Sequence, residues 1–165
     1  ARGRFQCRPY AALEFVEGKN LFHWIRGQDQ SWRQWRFSAA AQLGRALQYL
    51  HENRILFLDL KLENILLSYS GELKLTDFDL ACTFEEVARW WRKPAGTPGY
   101  LAPELFSGHL PTPASDVYSL GLVLRAIFPE RTDTPVDTFT ANCLDPSPKA
   151  RPSSFRPLYL AAGES

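Results

Sequence analysis

Four polar side chains in the middle of the sequence have the types and spacing that phosphate chemistry requires: Asp59, Lys61, Asn64 and Asp77. Carboxylate and amide oxygens are ligands that Mg²⁺ prefers, with water and phosphate oxygens in its other positions. A carboxylate such as Asp59 could orient a hydroxyl nucleophile and accept its proton. Lys61 could neutralise charge on a phosphoryl group in transit. The four residues therefore predict a magnesium–nucleotide site.

A predicted β-hairpin would bring these groups together. The stretches NILLS and ELKLTDF flank the turn signal Tyr69-Ser70-Gly71. Asn64 would begin the first strand and Asp77 would end the second, so their side chains should face one another. Asp59 follows the short apolar run 55–58 and should lie beside the same site.

Helices dominate the rest of the predicted fold. Apolar residues recur at three- and four-residue steps behind a capping box of Ser31 and Gln34, which predicts a long helix to about Asn53. Since the sheet is too small to form a core by itself, the sequence predicts a mainly helical α+β domain. The other expected elements are a strand over 9–17 leading into Gly18, a short helix over 20–25, an irregular segment over 80–111, and helices over 116–127, near 136–144 and after Pro152.

The composition is typical of a globular protein without a strong net charge. A net charge of +1 over 165 residues provides no long-range field for nucleic acid or an anionic membrane, so neither is expected as a partner. No apolar run approaches the roughly 18 residues of a spanning helix. Cys7, Cys82 and Cys143 lack a metal-binding spacing, which favours free thiols in the cytoplasm or nucleus. Because the sequence contains no methionine, we expect it to be a piece of a longer polypeptide.

The four polar residues also belong to a series of motifs. Asp-x-Lys-x-x-Asn over 59–64, followed by Asp77-Phe78, resembles the catalytic and metal loops of the eukaryotic protein kinases. Three further motifs follow in the order of that family. GTPGYLAPE over 96–104 resembles the end of the activation segment, and DVYSLG over 116–121 resembles the helix that anchors the large lobe. KARP over 149–152 resembles an arginine motif. The resemblance covers about residues 10–155, and Lys61 with Gly-Thr-Pro before Tyr100 resembles the serine/threonine class.

The resemblance implies catalytic and cofactor roles, with ATP and Mg²⁺ as cofactors and a protein as substrate. Asp59 would be the catalytic base and Lys61 the lysine that faces the phosphates. Asn64 and Asp77 would be the magnesium ligands beside ATP. Thr97 would hydrogen-bond near Asp59 and Lys61.

The resemblance also implies nucleotide-binding and structural roles. Leu13-Glu14-Phe15-Val16 resembles the hinge, where the backbone of Glu14 and Val16 would bond the adenine edge, and Leu66 would lie under the ring. Glu104 and Arg151 are expected as a buried ion pair, and Asp116 belongs to the anchoring helix. By this resemblance residues 1–165 are a partial kinase domain, 1–17 the end of the N-terminal lobe and the hinge, and 77–104 the activation segment.

The sequence departs from the family pattern at several positions. Phe57 and Leu58 replace the usual histidine and arginine, so control through an arginine–phosphate contact at Leu58 is not expected. Asp79 replaces the glycine of the metal motif, and this adds a negative charge near the predicted cation. Only nine residues separate Ile127 from Asp137, so we expect no substrate-docking helix there.

The sequence shows no glycine-rich loop and no strand lysine before the hinge. It therefore predicts a kinase-like C-terminal lobe lacking the N-terminal β-rich lobe, inactive or weak alone. Leu13, Phe15 and Leu66 should then face water unless an N-terminal lobe or a partner protein covers them.

Three functions remain open at this point. The first is a serine/threonine protein kinase. The second is a pseudokinase that serves as a scaffold or binding module. The third is a small-molecule kinase of the aminoglycoside or choline type, which the segment 96–104 disfavours. Smaller questions concern Glu63, either a contact for a basic substrate or a solvated carboxylate, and the group Arg89, Trp90, Trp91, Arg92 and Lys93, either a phosphate site or an exposed mobile loop.

Overall fold

The computed structural model describes residues 2–5, 8–11, 13–91, 95–130 and 133–164. Short 3-10 turns cover Ser31–Trp35, Leu62–Asn64 and Pro148–Ala150. The strands are β1 (Arg2–Phe5), β2 (Arg8–Ala11), β3 (Gly18–Asn20), β4 (Ile55–Leu56), β5 (Ile65–Ser68), β6 (Leu73–Leu75) and β7 (Cys82–Thr83). The helices are α1 (Leu21–Arg26), α2 (Arg36–Glu52), α3 (Phe84–Trp90), α4 (Pro103–Phe106), α5 (Pro113–Ile127), α6 (Pro135–Cys143) and α7 (Arg156–Ala161).

The strands form three small antiparallel sheets. Strands β1 and β2 pair with each other, β3, β5 and β6 form a three-stranded sheet in that order, and β4 pairs with β7. None of these sheets is large enough to cover a core, so the helices supply most of it. The prediction of a mainly helical α+β fold is confirmed.

Helix α2 lies at the centre of the core. Its apolar residues face one side at helical spacing, and Leu43 and Leu47 are completely buried. The apolar face of α5, which includes Leu120 and Leu124, belongs to the same buried cluster as Phe57 and the α2 residues. The site residues near position 59 therefore rest on a core built by α2 and α5. Among the described residues, the structure contains no helix long and apolar enough to cross a membrane.

The predicted hairpin over 64–77 is present, and helix α2 holds its turn. Gln42 Nε2 donates to the Gly71 carbonyl at 2.9 Å, and Gln42 Oε1 accepts from the Leu73 N–H at 2.9 Å. Gly71 has a φ of +86°, and a Cβ added there would lie 2.5 Å from the Trp35 ring. A glycine is needed at this turn because both the backbone conformation and the neighbouring ring exclude a side chain.

We expect Gly71→Ala to destabilise the chain by about 2–4 kcal/mol, the sum of left-handed strain and overpacking. Gly108→Ala is the matched control, since Gly108 has a φ of +80° and open space around it. That control should lose only about 1–2 kcal/mol, the strain alone. Urea unfolding of the two variants measures the difference. Equal losses would show that contact with Trp35 does not constrain the turn.

Three predicted elements differ from the structure. The capping box at Ser31 is wrong because Asp29 Oδ1 accepts the Ser31 N–H at 2.8 Å, so the chain enters a 3-10 turn and α2 begins only at Arg36. The strand predicted over 9–17 ends at Ala11, since residues 13–17 have no pairing strand within the described part of the chain. The segment over 80–111 is not irregular throughout, because it contains β7, α3 and α4.

Helix α3 carries a complete capping box. The Glu86 N–H donates to Thr83 Oγ1 at 3.2 Å, and Glu86 Oε2 accepts from the Thr83 N–H at 2.8 Å. The expectation of a mobile loop is therefore wrong for Arg89, which lies on this helix. Arg92 and Lys93, part of the same expectation, lie outside the described residues.

Candidate active site

The carboxylate of Asp59 lies at the centre of a buried hydrogen-bond network. Lys61 Nζ donates to Asp59 Oδ2 at 2.6 Å and to Thr97 Oγ1 at 2.8 Å. Thr97 donates to Asp59 Oδ1 twice, from its hydroxyl at 2.8 Å and from its backbone N–H at 3.1 Å. Asn64 Nδ2 donates to Asp59 Oδ2 at 3.0 Å. The structure thus joins four of the predicted site residues in one network.

The network holds Asp59 ionised. Burial of the carboxyl raises its pKa, but hydrogen bonds from Lys61 and Thr97, the charge of Lys61 and the Asn64 amide together hold the pKa below its ordinary value. Asp59 therefore carries its negative charge at neutral pH. A charged carboxylate in a fixed orientation can accept a hydrogen bond from a hydroxyl group and then its proton.

The 3-10 turn Leu62–Asn64 orients the amide of Asn64. Asn64 Nδ2 also donates to the Asp59 carbonyl at 3.0 Å, so both amide hydrogens serve Asp59. The carbonyl oxygen Oδ1 of Asn64 is then the atom of this side chain suited to a cation. The orientation of the amide thus matches what a magnesium ligand requires.

The hairpin brings Asp77 to the same end of the sheet as Asn64. Ile65 pairs with Leu75, and the Thr76 N–H donates to the Asn64 carbonyl at 3.0 Å. Asp77 follows directly, with an exposed side chain and a φ of 62°. The region described contains no cluster of three or more His, Cys, Asp or Glu side chains that could hold a metal. The donor set, one carboxylate and one amide oxygen, fits Mg²⁺ that takes its other ligands from phosphate and water.

Asp116 fixes the backbone that leads to Asp59. Its carboxylate accepts the Phe57 N–H at 3.0 Å and the Leu58 N–H at 2.8 Å, and it is almost completely buried. Leu58 has a φ of 65°, a region that a leucine rarely occupies. These two bonds tie the first turn of α5 to the two residues that precede Asp59.

His51 is a site residue that the sequence reasoning missed. Its Nε2 lies 2.9 Å from Asp116 Oδ2, at the end of α2. The available signal was its position four residues after the buried Leu47, which places an imidazole on the buried face of the helix.

Glu104 and Arg151 form a two-pronged ion pair. Arg151 Nη1 and Nη2 donate to the two Glu104 oxygens at 2.8 and 2.7 Å, and the Arg151 side chain is fully buried. Arg151 also donates to the backbone carbonyls of Asp145, Ala114 and Pro146. The pair joins the start of α4 to the segment before α7.

The predicted hinge residues form an exposed edge beside the hairpin. Leu13 is 77% exposed and Phe15 is 85% exposed, whereas Val16 and Leu66 are half-buried. Glu14 Oε2 accepts from Lys74 Nζ on β6 at 2.9 Å. The side chain of Glu14 thus ties this edge to the hairpin.

The two phenylalanines of the site contact one another. Phe57 is completely buried and Phe78 is 48% exposed, and their ring centroids lie 5.0 Å apart in an edge-to-face arrangement. The Phe78 ring therefore contacts the core through Phe57 while about half of it lies in solvent.

The network around Asp59 and the side chain of Asp77 thus lie at one end of the β5–β6 hairpin. A family model described as the protein kinase domain matches residues 6–137. The chain belongs to the protein kinase family, a family of transferase enzymes.

Curated relatives agree with this assignment. The chain is 38% identical over 121 residues to protein kinase C-like 1 of Saccharomyces cerevisiae, and this match covers 71% of this chain and 10% of that protein. It is 39% identical over 121 residues to the cAMP-dependent protein kinase catalytic subunit PRKX of Mus musculus, and this match covers 70% of this chain and 32% of that protein. It is 38% identical over 117 residues to the serine/threonine-protein kinase AtPK2/AtPK19 of Arabidopsis thaliana, and this match covers 71% of this chain and 25% of that protein. The matched region spans between a tenth and a third of the length of these relatives.

Proposed function

We propose that this chain is part of a serine/threonine protein kinase that transfers the γ-phosphate of ATP to a protein hydroxyl. The observation that carries the proposal is the buried Asp59 carboxylate, which Lys61, Asn64 and Thr97 orient together. The serine/threonine class is supported by the name of the AtPK2/AtPK19 relative. The proposed domain is residues 1–165, with 1–17 as the end of the N-terminal lobe and the hinge, and 77–104 as the activation segment.

In the proposed mechanism, Asp59 positions the substrate hydroxyl and accepts its proton. Because the pKa of Asp59 lies below its ordinary value, it acts as a weak base that orients the nucleophile more than it deprotonates it in advance. Lys61, already fixed by Asp59 and Thr97, provides positive charge where negative charge develops on the phosphoryl group. Most of the rate enhancement then comes from positioning and charge.

Asn64 and Asp77 would hold Mg²⁺ at the end of the hairpin. When bound, the ion would neutralise the phosphate oxygens of ATP. The backbone of Glu14 and Val16 would bond the adenine edge, Leu13 would lie beside the ring and Leu66 under it. The exposed Leu13 and Phe15 support a covering N-terminal lobe or partner protein on this edge.

The thiols support a reducing compartment, either cytoplasm or nucleus. Cys82 and Cys143 are free, and burial raises the pKa of Cys143 to about 12. Such a thiol is unreactive and has a packing role.

The first test is magnesium-dependent ATP binding by an Asp77→Asn variant, measured by calorimetry. Outer-sphere partners of metal sites already cost about 10–100-fold in affinity, so loss of a direct ligand charge should weaken Mg-ATP binding at least as much. Asp29→Asn is the control, since Asp29 is also exposed and an asparagine can still accept the Ser31 N–H.

The outcome is read with and without magnesium. We expect Asp77→Asn and the parent chain to bind ATP equally in the absence of magnesium. Equal binding by all variants in its presence would remove the metal site. Magnesium-dependent binding without phosphoryl transfer would favour the scaffold or pseudokinase function instead.

A further inference from the structure

A second, smaller apolar cluster joins the segment after Asp77 to the residue before Asp59. Leu56, Leu58 and Val87 are its buried members, and Cys82, Phe84 and Trp91 pack against them. Val87 is 4% exposed and Leu58 is 7% exposed. We call these six residues the Leu58 cluster. Leu58 stands where the family places an arginine, and here an apolar contact with α3 occupies that position.

Backbone hydrogen bonds to strand β4 and to the residue before it fix the start of α3. Ile55 pairs with Thr83 and Leu56 with Cys82, and the Phe84 N–H donates to the Arg54 carbonyl at 3.0 Å. The capping box at Thr83 then sets the first turn of the helix. This placement brings Val87, one turn further on, into the buried cluster that contains Leu56 and Leu58.

Leu58 and Asp59 are neighbours in sequence, and they contact the two ends of one segment. Leu58 shares a buried cluster with Val87 at the beginning of residues 87–97, and Asp59 accepts two hydrogen bonds from Thr97 at the end. The backbone of Leu58 has a left-handed φ and is held from the other side by Asp116. A shift of α3 away from Leu58 would therefore act on the residue that carries the Asp59 carboxylate.

Residues 84–96, which follow the start of the cluster, offer no hydroxyl group that could accept a phosphate. Residues 84–96 read FEEVARWWRKPAG and contain no serine, threonine or tyrosine. Thr83 precedes them, and its Oγ1 accepts the Glu86 N–H as the helix cap. Charge-based ordering of the segment by a phosphorylated side chain within 84–96 is therefore impossible.

We propose that Val87 is a positioning residue, and that its burial against Leu58 holds the segment in the arrangement where Thr97 bonds Asp59. The placement of Thr97 would then depend on apolar burial and not on a charged side chain at position 58. The part of this proposal that concerns turnover rests on the proposed kinase function, whereas the part that concerns the segment does not.

The test compares Val87→Ala with Arg89→Ala in the full chain. Both positions lie on α3, but Arg89 is exposed, and alanine favours a helix at either position. Hydrogen exchange followed by mass spectrometry reports on residues 95–101, which include the Thr97 N–H bonded to Asp59. We expect this region to exchange about tenfold faster in Val87→Ala, because buried methyl groups are lost. Arg89→Ala should leave it unchanged, and Val87→Ile should keep the protection.

The remaining readouts separate positioning from general loosening. Exchange in α2 and α5 should stay as in the parent chain, and kcat should fall in Val87→Ala with the KM for ATP unchanged. Equal exchange of residues 95–101 in Val87→Ala and Arg89→Ala would overturn the proposal, as would a uniform rise over the whole chain. Absence of magnesium-dependent ATP binding would count against the proposed function, whereas the exchange comparison decides the role of Val87 whether or not this chain transfers phosphate.

Discussion

Replacing Asp59 with asparagine should lower the rate of phosphoryl transfer by about 10²–10⁴-fold, the contribution of a positioned general base. Asp59 is ionised at neutral pH, so the substitution removes a charge at nearly constant shape. It also replaces an acceptor of Lys61 and Thr97 by a group that must offer an amide to one of them. Both the orientation of the nucleophile and the destination of its proton are lost.

Binding of Mg-ATP should change much less than turnover in this variant, because Asp59 is proposed to contact the substrate hydroxyl. The measurement is a steady-state rate on a generic protein substrate, with ATP binding determined in parallel. Glu63→Gln is the control, since Glu63 is four residues away, exposed and outside the network around Asp59. A rate for Asp59→Asn equal to that for Glu63→Gln would show that the carboxylate has no part in the chemistry.

Truncating Arg151 to alanine should destabilise the chain by about 3–5 kcal/mol, the loss expected when one partner of a buried ion pair is removed. Among the described residues, Ser115 Oγ would be the one side-chain donor left to the charged Glu104, and three backbone carbonyls would lose the guanidinium. Thermal or urea unfolding measures the loss.

The matched control is Arg54→Ala. Arg54 Nη2 and Glu85 Oε1 lie 2.6 Å apart, a distance similar to that of the buried pair, but the two side chains are 63% and 55% exposed. An exposed pair contributes about 0–1 kcal/mol because water screens the charges and competes for the hydrogen bonds. Similar losses from Arg151→Ala and Arg54→Ala would contradict the argument that burial decides the energetic value of these pairs.

The pH dependence of unfolding provides a second reading of the same pair. Burial raises the pKa of Glu104, but hydrogen bonds from Arg151, its own backbone N–H and Ser115 lower it more, so the pKa lies below its ordinary value of 4.5. A carboxyl with a depressed pKa in the folded state stabilises the fold above pH 4.5, and this stabilisation is lost as pH falls through the folded-state pKa. Glu104→Gln should therefore show a weaker decline in stability in acid than the parent chain.

The parts of the fold that the sequence predicted are those with a local cause. Helix α5 was predicted because its apolar residues repeat at helical spacing, and the hairpin because two apolar runs flank Gly71. Strands β4 and β7 have two residues each and exist only because Ile55 pairs with Thr83. A strand of that length has no signal of its own.

Helix α3 could have been found. Thr83 and Glu86 have capping-box spacing, and Phe84, Val87 and Trp91 follow at steps of three and four. The reasoning gave more weight to the glycines and prolines further along the segment. The cluster that α3 forms with Leu58 required a contact between residues 29 positions apart in sequence, which no local pattern contains.

Motif spacing indicated some residues of the candidate site, whereas other contacts are visible only in the structure. The spacing selected Asp59, Lys61, Asn64 and Asp77, and the resemblance added Thr97. The structure brings Asp59, Lys61, Asn64 and Thr97 into one network, and the catalytic roles stay predictions. The spacing did not indicate His51, whose contact with Asp116 crosses from α2 to α5. Nor did it indicate that Glu14 would bind Lys74 through its side chain.

The grip of helix α2 on the hairpin turn has a consequence for sequence variation. Gln42 satisfies a carbonyl and an N–H of the turn at once, and Trp35 occupies the space that any side chain at position 71 would need. Substitutions at positions 35, 42 and 71 should therefore be correlated among homologous sequences. A larger residue at position 71 should occur only where the residue at position 35 is small.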